Sequence, residues 1–239
     1  MLLTSDLHYN LRHLDWLVSV ADQFDVLVVA GDHLDISSSV ALESQSVVML
    51  RYLSRLAERT TVVASSGNHD LTARNAHGEK TAAWLLEGRH VGALVDGDSF
   101  DHDGVRVTVC PWWDGPLSRD DVEAQLRAQA GDRPACWIWV YHPPPTGSPT
   151  ALGKRREYGD QDLRTWIDDL RPDVVLTGHV HEAPFIDGGS WFEHIGGTWT
   201  FNAGRVGVGG VPNHVALDLD GRVASWYGGG DSAELALDQ

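Results

Sequence analysis

Cysteine is scarce in this chain, and its placement does not suggest a disulfide framework. Cys110 and Cys136 are the only cysteines among 239 residues, and each lies in a short apolar run typical of a strand. Cysteines in such runs are more often reduced and buried than paired. We therefore expect two free thiols.

Basic residues are also few. Lysine and arginine together number 18 against 34 aspartates and glutamates, which gives a formal net charge of -16. A nonspecific nucleic-acid binder needs basic side chains to displace counterions from phosphates, so this balance disfavours that class. Solubility explains the charge most simply, although a polyanionic substrate stays open where metal ions make a site locally positive.

Long apolar runs are absent as well. No stretch approaches the roughly 20 apolar residues that a membrane span requires. The short apolar run at residues 1–3 has no basic region before it and is too short for a signal peptide. We expect a cytoplasmic protein without a membrane partner. No linker or repeat interrupts the chain, so residues 1–239 are expected to form a single domain.

The first 70 residues predict strands that alternate with helices. Continuous apolar runs at 1–4, 26–30 and 61–65 are typical of parallel strands buried on both faces. Apolar residues recur at helical spacing over 11–24 and 40–58. In open α/β sheets, ligands bind beyond the carboxyl ends of the strands, so a site is expected there.

The rest of the chain has more β character. Residues 71–88 are irregular, with a helical turn or two at 82–86, and the tail after Gly228 is expected to be frayed. An Asp-Gly pair at Asp220 predicts a hairpin between 215–219 and 223–227. Further strands are expected at 91–94, 99–100, 105–110, 137–141 and 174–177, and further helices at 118–130 and 162–170.

Five predicted strand ends carry side chains that bind metal ions. They hold Asp6 with His8, Asp32, Asn68, His142, and His179 with His181. Residues two apart in an extended chain point to the same side, so each paired set can reach one site. Oxygen and imidazole ligands suit Mn, Fe, Zn or Mg. Asp32 is a single carboxylate between two sets of ligands, so it is suited to bridge two metal ions.

Each of these motifs has a plainer explanation when it is taken alone. Gly31-Asp32 is usually a turn, and Gly67-Asn68-His69-Asp70 could be a turn with Asn68 in the left-handed region. His142 could be a buried structural histidine. A metal centre is favoured because all five motifs occur in order and at strand ends.

Together the motifs resemble those of the calcineurin-like metallophosphoesterase superfamily, whose pattern is D-x-H, G-D, G-N-H-[DE], H and G-H-x-H. Every block is present, and the resemblance spans about residues 1–205. It implies an α/β fold of the two-sheet α/β/β/α sandwich type. It also implies a phosphoesterase in which a hydroxide between two divalent metal ions attacks phosphorus. The ions are expected to be Mn²⁺ and/or Fe, with Zn, Ni or Mg open.

The resemblance also implies roles for individual residues. His69 is adjacent to the ligand Asn68 but is not among the ligands of either metal, so it is expected to donate a proton to the leaving oxygen. Asp70 is expected to orient or charge His69, with a turn-capping role equally open. One metal would be held by Asp6, His8, Asp32 and His181, and the other by Asp32, Asn68, His142 and His179.

Three residues are candidates for contact with a substrate. Arg205 could bind a phosphate through two donors, His33 follows Asp32 and could reach the pocket, and Trp113, after Trp112, could stack on a base or another ring. The plainer alternatives are a surface arginine, a strand-end filler and a core tryptophan.

The substrate itself is less well defined by the sequence. A phosphodiester of a small molecule or nucleotide is favoured over a phosphomonoester. A nuclease of the same superfamily is disfavoured by the acidic charge and the short chain. A non-catalytic scaffold of the same fold is the third alternative, and scaffolds of this kind have typically lost ligands that are all present here.

Overall fold

The computed structural model describes residues 1–237, and its first three strands form the parallel centre of one sheet. Strands β1 (Leu2–Thr4), β2 (Val26–Ala30) and β3 (Thr61–Ser65) pair in parallel. Within β2, Leu27 and Val29 pack towards the helices, whereas the intervening side chains pack towards a second sheet. Because both faces are covered, the strand is apolar throughout.

Helices α1 (Leu11–Val20) and α2 (Leu42–Ala57) connect these strands and cover the outer face of the sheet. The side chain of Asn10 accepts a hydrogen bond from the backbone N–H of Arg12 and so caps the start of α1. Both helices lie within the predicted ranges. Their apolar stripes are buried against β1 to β3, as helical spacing requires.

The remaining elements complete two large sheets and one small hairpin. The other helices are α3 (Ala83–Leu86), α4 (Pro116–Ala130) and α5 (Gln161–Leu170). The other strands are β4 (Ala73–Arg74), β5 (Lys80–Thr81), β6 (Leu94–Val95), β7 (Ser99–His102), β8 (Val105–Val109), β9 (Cys136–Val140), β10 (Val174–Thr177), β11 (Phe192–Ile195), β12 (Thr198–Asn202), β13 (His214–Asp218), β14 (Val223–Gly228) and β15 (Asp231–Ala236).

The two large sheets pack face to face. The seven-stranded sheet has the order β15-β14-β13-β1-β2-β3-β6, and the six-stranded sheet has the order β11-β12-β10-β9-β8-β7. Apolar side chains of both sheets form one cluster between them, including Val28 from β2 and Ile138 from β9. On the outer face of the second sheet, Trp137 and Trp139 pack against α4 and α5. The predicted α/β/β/α sandwich is confirmed.

Two predictions about the ends of elements are wrong. The tail after Gly228 is not frayed, because Gly229 and Gly230 take positive φ angles and turn the chain into β15, which pairs with β14. The strand predicted at 91–94 begins later, because Val91 ends a 3-10 helix (Glu87–Val91) and β6 covers only Leu94–Val95. Gly92, with a φ of 91°, ends that helix in the left-handed region.

Two expectations from composition can be compared with the structure. Cys110 and Cys136 are both free, the first buried and the second partly buried. Among residues 1–237, no helix combines the length and the apolar character that crossing a membrane would need.

Candidate metal centre

The seven predicted metal ligands meet in one cluster beyond the carboxyl ends of five strands. Asp6 and His8 follow β1, Asp32 follows β2, and Asn68 follows β3. His142 follows β9 of the other sheet, and the pair His179 and His181 follows β10. The face-to-face packing of the two sheets therefore brings ligands from distant parts of the chain to one edge of the sandwich.

The first group of ligands comes from the loops that follow β1 and β10. The Nε2 atom of His181 lies 3.2 Å from Asp6 Oδ1 and 3.2 Å from His8 Nε2. These three donor atoms are mutually close enough to hold one ion. Metal–ligand bonds of about 2.0–2.2 Å place neighbouring donors roughly 3.0–3.5 Å apart, which fits this spacing.

The second group of ligands comes from the loops that follow β3, β9 and β10. His179 Nδ1 lies 2.9 Å from Asn68 Oδ1, and the ring centroids of His179 and His142 are 5.1 Å apart. The Nδ1 atom of His142 donates a hydrogen bond to the Ala30 carbonyl over 2.7 Å. Its Nε2 atom is buried without a hydrogen-bond partner among the described residues. A backbone carbonyl that fixes one ring nitrogen leaves the other free for a metal.

Asp32 lies between the two groups. Its Oδ2 atom is 3.7 Å from His8 Nε2 in the first group and 3.4 Å from His142 Nε2 in the second. Its Oδ1 atom accepts a hydrogen bond of 2.8 Å from the backbone N–H of His69, which fixes the carboxylate. This position suits a bridging ligand, and the bridging role stays a prediction.

Burial and charge set the protonation of these ligands. Burial lowers the pKa of His8 and of His179 to about 4, which favours the neutral imidazole that metals bind. Burial would also lower the pKa of His142, but the Asp32 carboxylate outweighs it and raises that pKa to about 9. Ligation by His142 would therefore release a proton.

Asp6 is held as a carboxylate at the back of the cluster. Burial alone would raise its pKa, but the hydrogen bond from His181 and the charges of His142 and His181 together hold the pKa well below its usual range. The Ser5 hydroxyl donates to Oδ2 over 2.5 Å, and the backbone N–H of His179 donates over 3.0 Å. The carboxylate is thus oriented before any ion binds.

Several ligands have strained backbones. The φ angles are 54° at Asp6, 43° at His8, 54° at Asp32 and 67° at His179, all in the left-handed region. Residues other than glycine rarely adopt this region, and such strain clusters at functional sites. The packing around these four residues maintains the strain, which points to a functional reason for it.

Two motif glycines are required by close contacts at the centre. A Cβ atom on Gly31, where φ is 84°, would collide with the His142 ring. A Cβ atom on Gly67 would collide with the Asp32 carboxylate and lie 2.8 Å from His142 Nε2. Any larger residue at either position would displace a ligand.

His69 lies at the exposed side of the centre. Its Nε2 atom is 3.9 Å from Asp32 Oδ2, and its side chain is 20% exposed. Its ring meets the His8 ring edge-on at a centroid distance of 4.5 Å. The imidazole is therefore beside the ligands and also accessible to a bound molecule.

Asp70 contacts backbone groups rather than the His69 ring. Its buried carboxylate accepts hydrogen bonds from the backbone N–H groups of Gly67 at 2.8 Å, His33 at 3.0 Å and Leu34 at 3.0 Å. The Nδ1 atom of His69 has no hydrogen-bond partner within residues 1–237. The structure therefore favours the turn-capping alternative, in which Asp70 ties the loop after β3 to the end of β2.

The three candidate substrate residues lie in different surroundings. His33 is buried, donates from Nε2 to the Ser65 carbonyl over 2.9 Å and packs edge-on against Trp84, so the strand-end alternative is favoured for it. Arg205 is half-buried and donates its backbone N–H to the His181 carbonyl at 3.0 Å. Its positive charge opposes protonation of His8 and of His181, which lowers the pKa of each in part.

Trp113 lines a cavity of about 520 Å³ that also includes the ligand His179. Tyr141 and Tyr158 line the same cavity, and sequence reasoning did not identify either as a site residue. Tyr141 ends a predicted strand, and Tyr158 lies outside every predicted helix and strand. Only contacts between segments distant in sequence reveal these two residues.

Comparisons with known proteins identify the family. The calcineurin-like phosphoesterase family pattern matches residues 1–183. The chain therefore belongs to the calcineurin-like phosphoesterases and is a phosphoric ester hydrolase. No curated protein sequence matches the chain.

Solved structures show the same fold. The protein TT1561 of Thermus thermophilus superposes with a TM-score of 0.60 at 17% identity, over 99% of this chain and 98% of that chain. The purple acid phosphatase PPD1 from yellow lupin seeds superposes with a TM-score of 0.56 at 14% identity, over 98% of this chain and 47% of that chain. At these identities the likeness concerns the fold alone.

Proposed function

We propose that the protein hydrolyses a phosphodiester of a small molecule or nucleotide with the help of two divalent metal ions. The observation that supports this best is the convergence of the seven predicted ligands. Asp6, His8 and His181 have donor atoms close enough to hold one ion, Asn68 and His142 lie against His179, and Asp32 lies between the two sets. The buried Nε2 atom of His142 adds support, because it makes no hydrogen bond within residues 1–237 and lies 3.4 Å from Asp32 Oδ2, a spacing that two ligands of one ion would have.

The ligand chemistry fits divalent ions of intermediate hardness. The two groups offer carboxylate, amide and imidazole donors and no thiolate, a set that suits Mn²⁺ and Fe and also accepts Zn, Ni or Mg. When bound, two such ions polarise a phosphoryl group and lower the pKa of a water molecule. The residues of the chain then position the ester and move the proton.

His69 is the proposed proton donor. Its imidazole is partly exposed, and its Nε2 atom lies 3.9 Å from Asp32 Oδ2, so the ring is accessible to an ester bound at the centre. Imidazole side chains act as general acids in catalysis, and one in this position can protonate a departing alkoxide. Arg205 is proposed to bind a phosphoryl oxygen, because its charge acts on His8 and His181 of the first group and a guanidinium matches a phosphoryl group in shape.

The role of His69 predicts a dependence on the leaving group. An alkoxide is a poor leaving group and needs the proton, whereas p-nitrophenolate leaves without one. Replacement of His69 should therefore slow hydrolysis of alkyl esters far more than hydrolysis of p-nitrophenyl esters.

Hydrolysis of two chromogenic esters tests the proposal. The Mn²⁺-loaded protein should hydrolyse bis(p-nitrophenyl) phosphate faster than p-nitrophenyl phosphate, and the metal-stripped protein should hydrolyse neither. Faster turnover of the monoester would assign the protein to the phosphatases. Absence of turnover with every tested ion would favour the scaffold alternative.

Nucleic acid is a less favoured substrate because of the net charge of -16. Cleavage of single-stranded DNA at physiological salt would instead support a nuclease. A reducing compartment such as the cytoplasm is proposed because both cysteines are free thiols.

A further inference from the structure

The aromatic cavity beside the metal centre has the character of a small-molecule site. Its volume is about 520 Å³, and Trp112, Trp113, Tyr141 and Tyr158 line it together with the ligand His179. Cavities of this size with aromatic walls are typical of sites for small ligands.

Trp112 connects this cavity directly to the second ligand group. Its ring centroid is 5.6 Å from that of His179 and 5.8 Å from that of His142. Its backbone N–H donates a hydrogen bond of 2.9 Å to the Ser66 hydroxyl, at the start of the loop that carries Asn68. The cavity therefore adjoins the second ligand group.

The aromatic walls are held rigid by hydrogen bonds. The indole N–H of Trp113 donates to the Tyr141 hydroxyl over 2.6 Å, and this hydroxyl donates to Asp160 Oδ2 over 2.8 Å. On the other wall, the Arg156 guanidinium lies 4.8 Å from the centroid of the Tyr158 ring. Walls that are ordered before a ligand binds lose little entropy when it does.

The charge of the lining is negative. Glu157, Asp160 and Asp162 line the cavity, against the single cation Arg156. Arg119 compensates only one of these acids, through a 2.8 Å ion pair with Asp162. A second phosphate or a carboxylate on the substrate would therefore be repelled, whereas a neutral ring would not.

From these contacts we infer that the cavity binds a flat aromatic group without negative charge, attached to the phosphorus that is attacked. The substrate class is then an aryl or heteroaryl phosphoester rather than a nucleoside polyphosphate. This inference rests on the proposed phosphoesterase function. It makes Trp113, already a candidate for substrate contact, a residue that determines specificity, and it adds Tyr158.

Binding of two phosphonates tests the inference without turnover. Phenylphosphonate and methylphosphonate carry the same anionic head, so the ratio of their dissociation constants, measured by calorimetry on the Mn²⁺-loaded protein, reports the cavity alone. We expect phenylphosphonate to bind roughly tenfold more tightly. The ratio should fall to about twofold in Trp113→Leu and, independently, in Tyr158→Leu.

Two matched variants serve as controls. Trp199→Leu removes an indole from a second cavity that the metal ligands do not line. Tyr52→Leu removes a phenol ring whose centroid lies 5.3 Å from the Arg55 guanidinium, an arrangement like that of Tyr158 and Arg156. Both controls should keep the tenfold ratio.

Each outcome of this experiment decides the inference. Equal affinity for the two phosphonates, or an undiminished ratio in both cavity variants, would overturn the inference and leave the proposed function standing. Failure to bind either phosphonate would overturn both. The negative lining further predicts that 4-carboxyphenylphosphonate binds more weakly than phenylphosphonate, and tighter binding would refute the role of the acids.

Discussion

Asp96 is a buried carboxyl beneath the candidate site, and it should make the stability of the protein depend on pH. It follows β6, is buried, and accepts a 2.8 Å hydrogen bond from the backbone N–H of Ser66, so it holds the start of the loop that carries Asn68 and His69. Burial raises its pKa from 3.8 to about 7, and the hydrogen bonds from Ser66 oppose this only in part.

Because the pKa of Asp96 is raised in the folded chain, its ionisation lowers the folding stability as the pH rises. Below about pH 4 the carboxyl is protonated in both the folded and the unfolded chain, so it adds no pH dependence. As the pH rises towards 7, the unfolded chain loses this proton while the folded chain keeps it, and stability falls. Above pH 7 the folded chain carries the full cost of a buried charge, about 4 kcal/mol.

Asp96→Asn keeps an oxygen acceptor for Ser66 and removes the ionisation. The free energy of unfolding of the variant minus that of the wild type should therefore grow by about 2–3 kcal/mol from pH 5 to pH 8. Urea unfolding at four pH values measures this difference. Asp220→Asn, at an exposed side chain that forms no ion pair among the described residues, serves as control and should show a difference that is constant with pH. A constant difference for Asp96→Asn would refute the reasoning.

Three further predictions concern the loop after β3. His69→Asn should lower turnover of an alkyl phosphodiester by roughly 10²–10⁴-fold while bound metal, measured by mass spectrometry, stays the same; a large loss of metal would make His69 a ligand. Gly67→Ala should lower metal content, because the added Cβ atom meets Asp32; full occupancy would contradict the close contact. Asp70→Ala should lower the free energy of unfolding by about 1–3 kcal/mol, since the backbone N–H groups of Gly67, His33 and Leu34 lose their acceptor; unchanged urea unfolding would contradict the capping role.

The ligand cluster was accessible to sequence reasoning for a physical reason. Parallel strands all end at one edge of a sheet, so a polar residue that directly follows a buried apolar run has a known location. Asp32 and Asn68 satisfy this rule, and so do His142 and His179 in the second sheet. Residues that follow strands of different sheets meet only because the sheets pack face to face.

Other features depend on contacts between segments that are distant in sequence. Asp70 caps backbone groups of His33 and Leu34, 37 and 36 residues away, and no local pattern reports this. The cavity wall joins Trp113 to Tyr141, which are 28 residues apart. The last strand was missed because a run of glycines resembles a frayed tail, although here it forms a hairpin turn.

The central claim is that Asp32 joins two metal ions held by seven ligands. The metal content of the Mn²⁺-loaded protein after removal of free ions, measured by mass spectrometry, tests it most directly. The structure predicts two ions per chain in the wild type and at most one in Asp32→Ala, with turnover lost. Two ions retained in Asp32→Ala, or fewer than two in the wild type under saturating Mn²⁺, would contradict the claim.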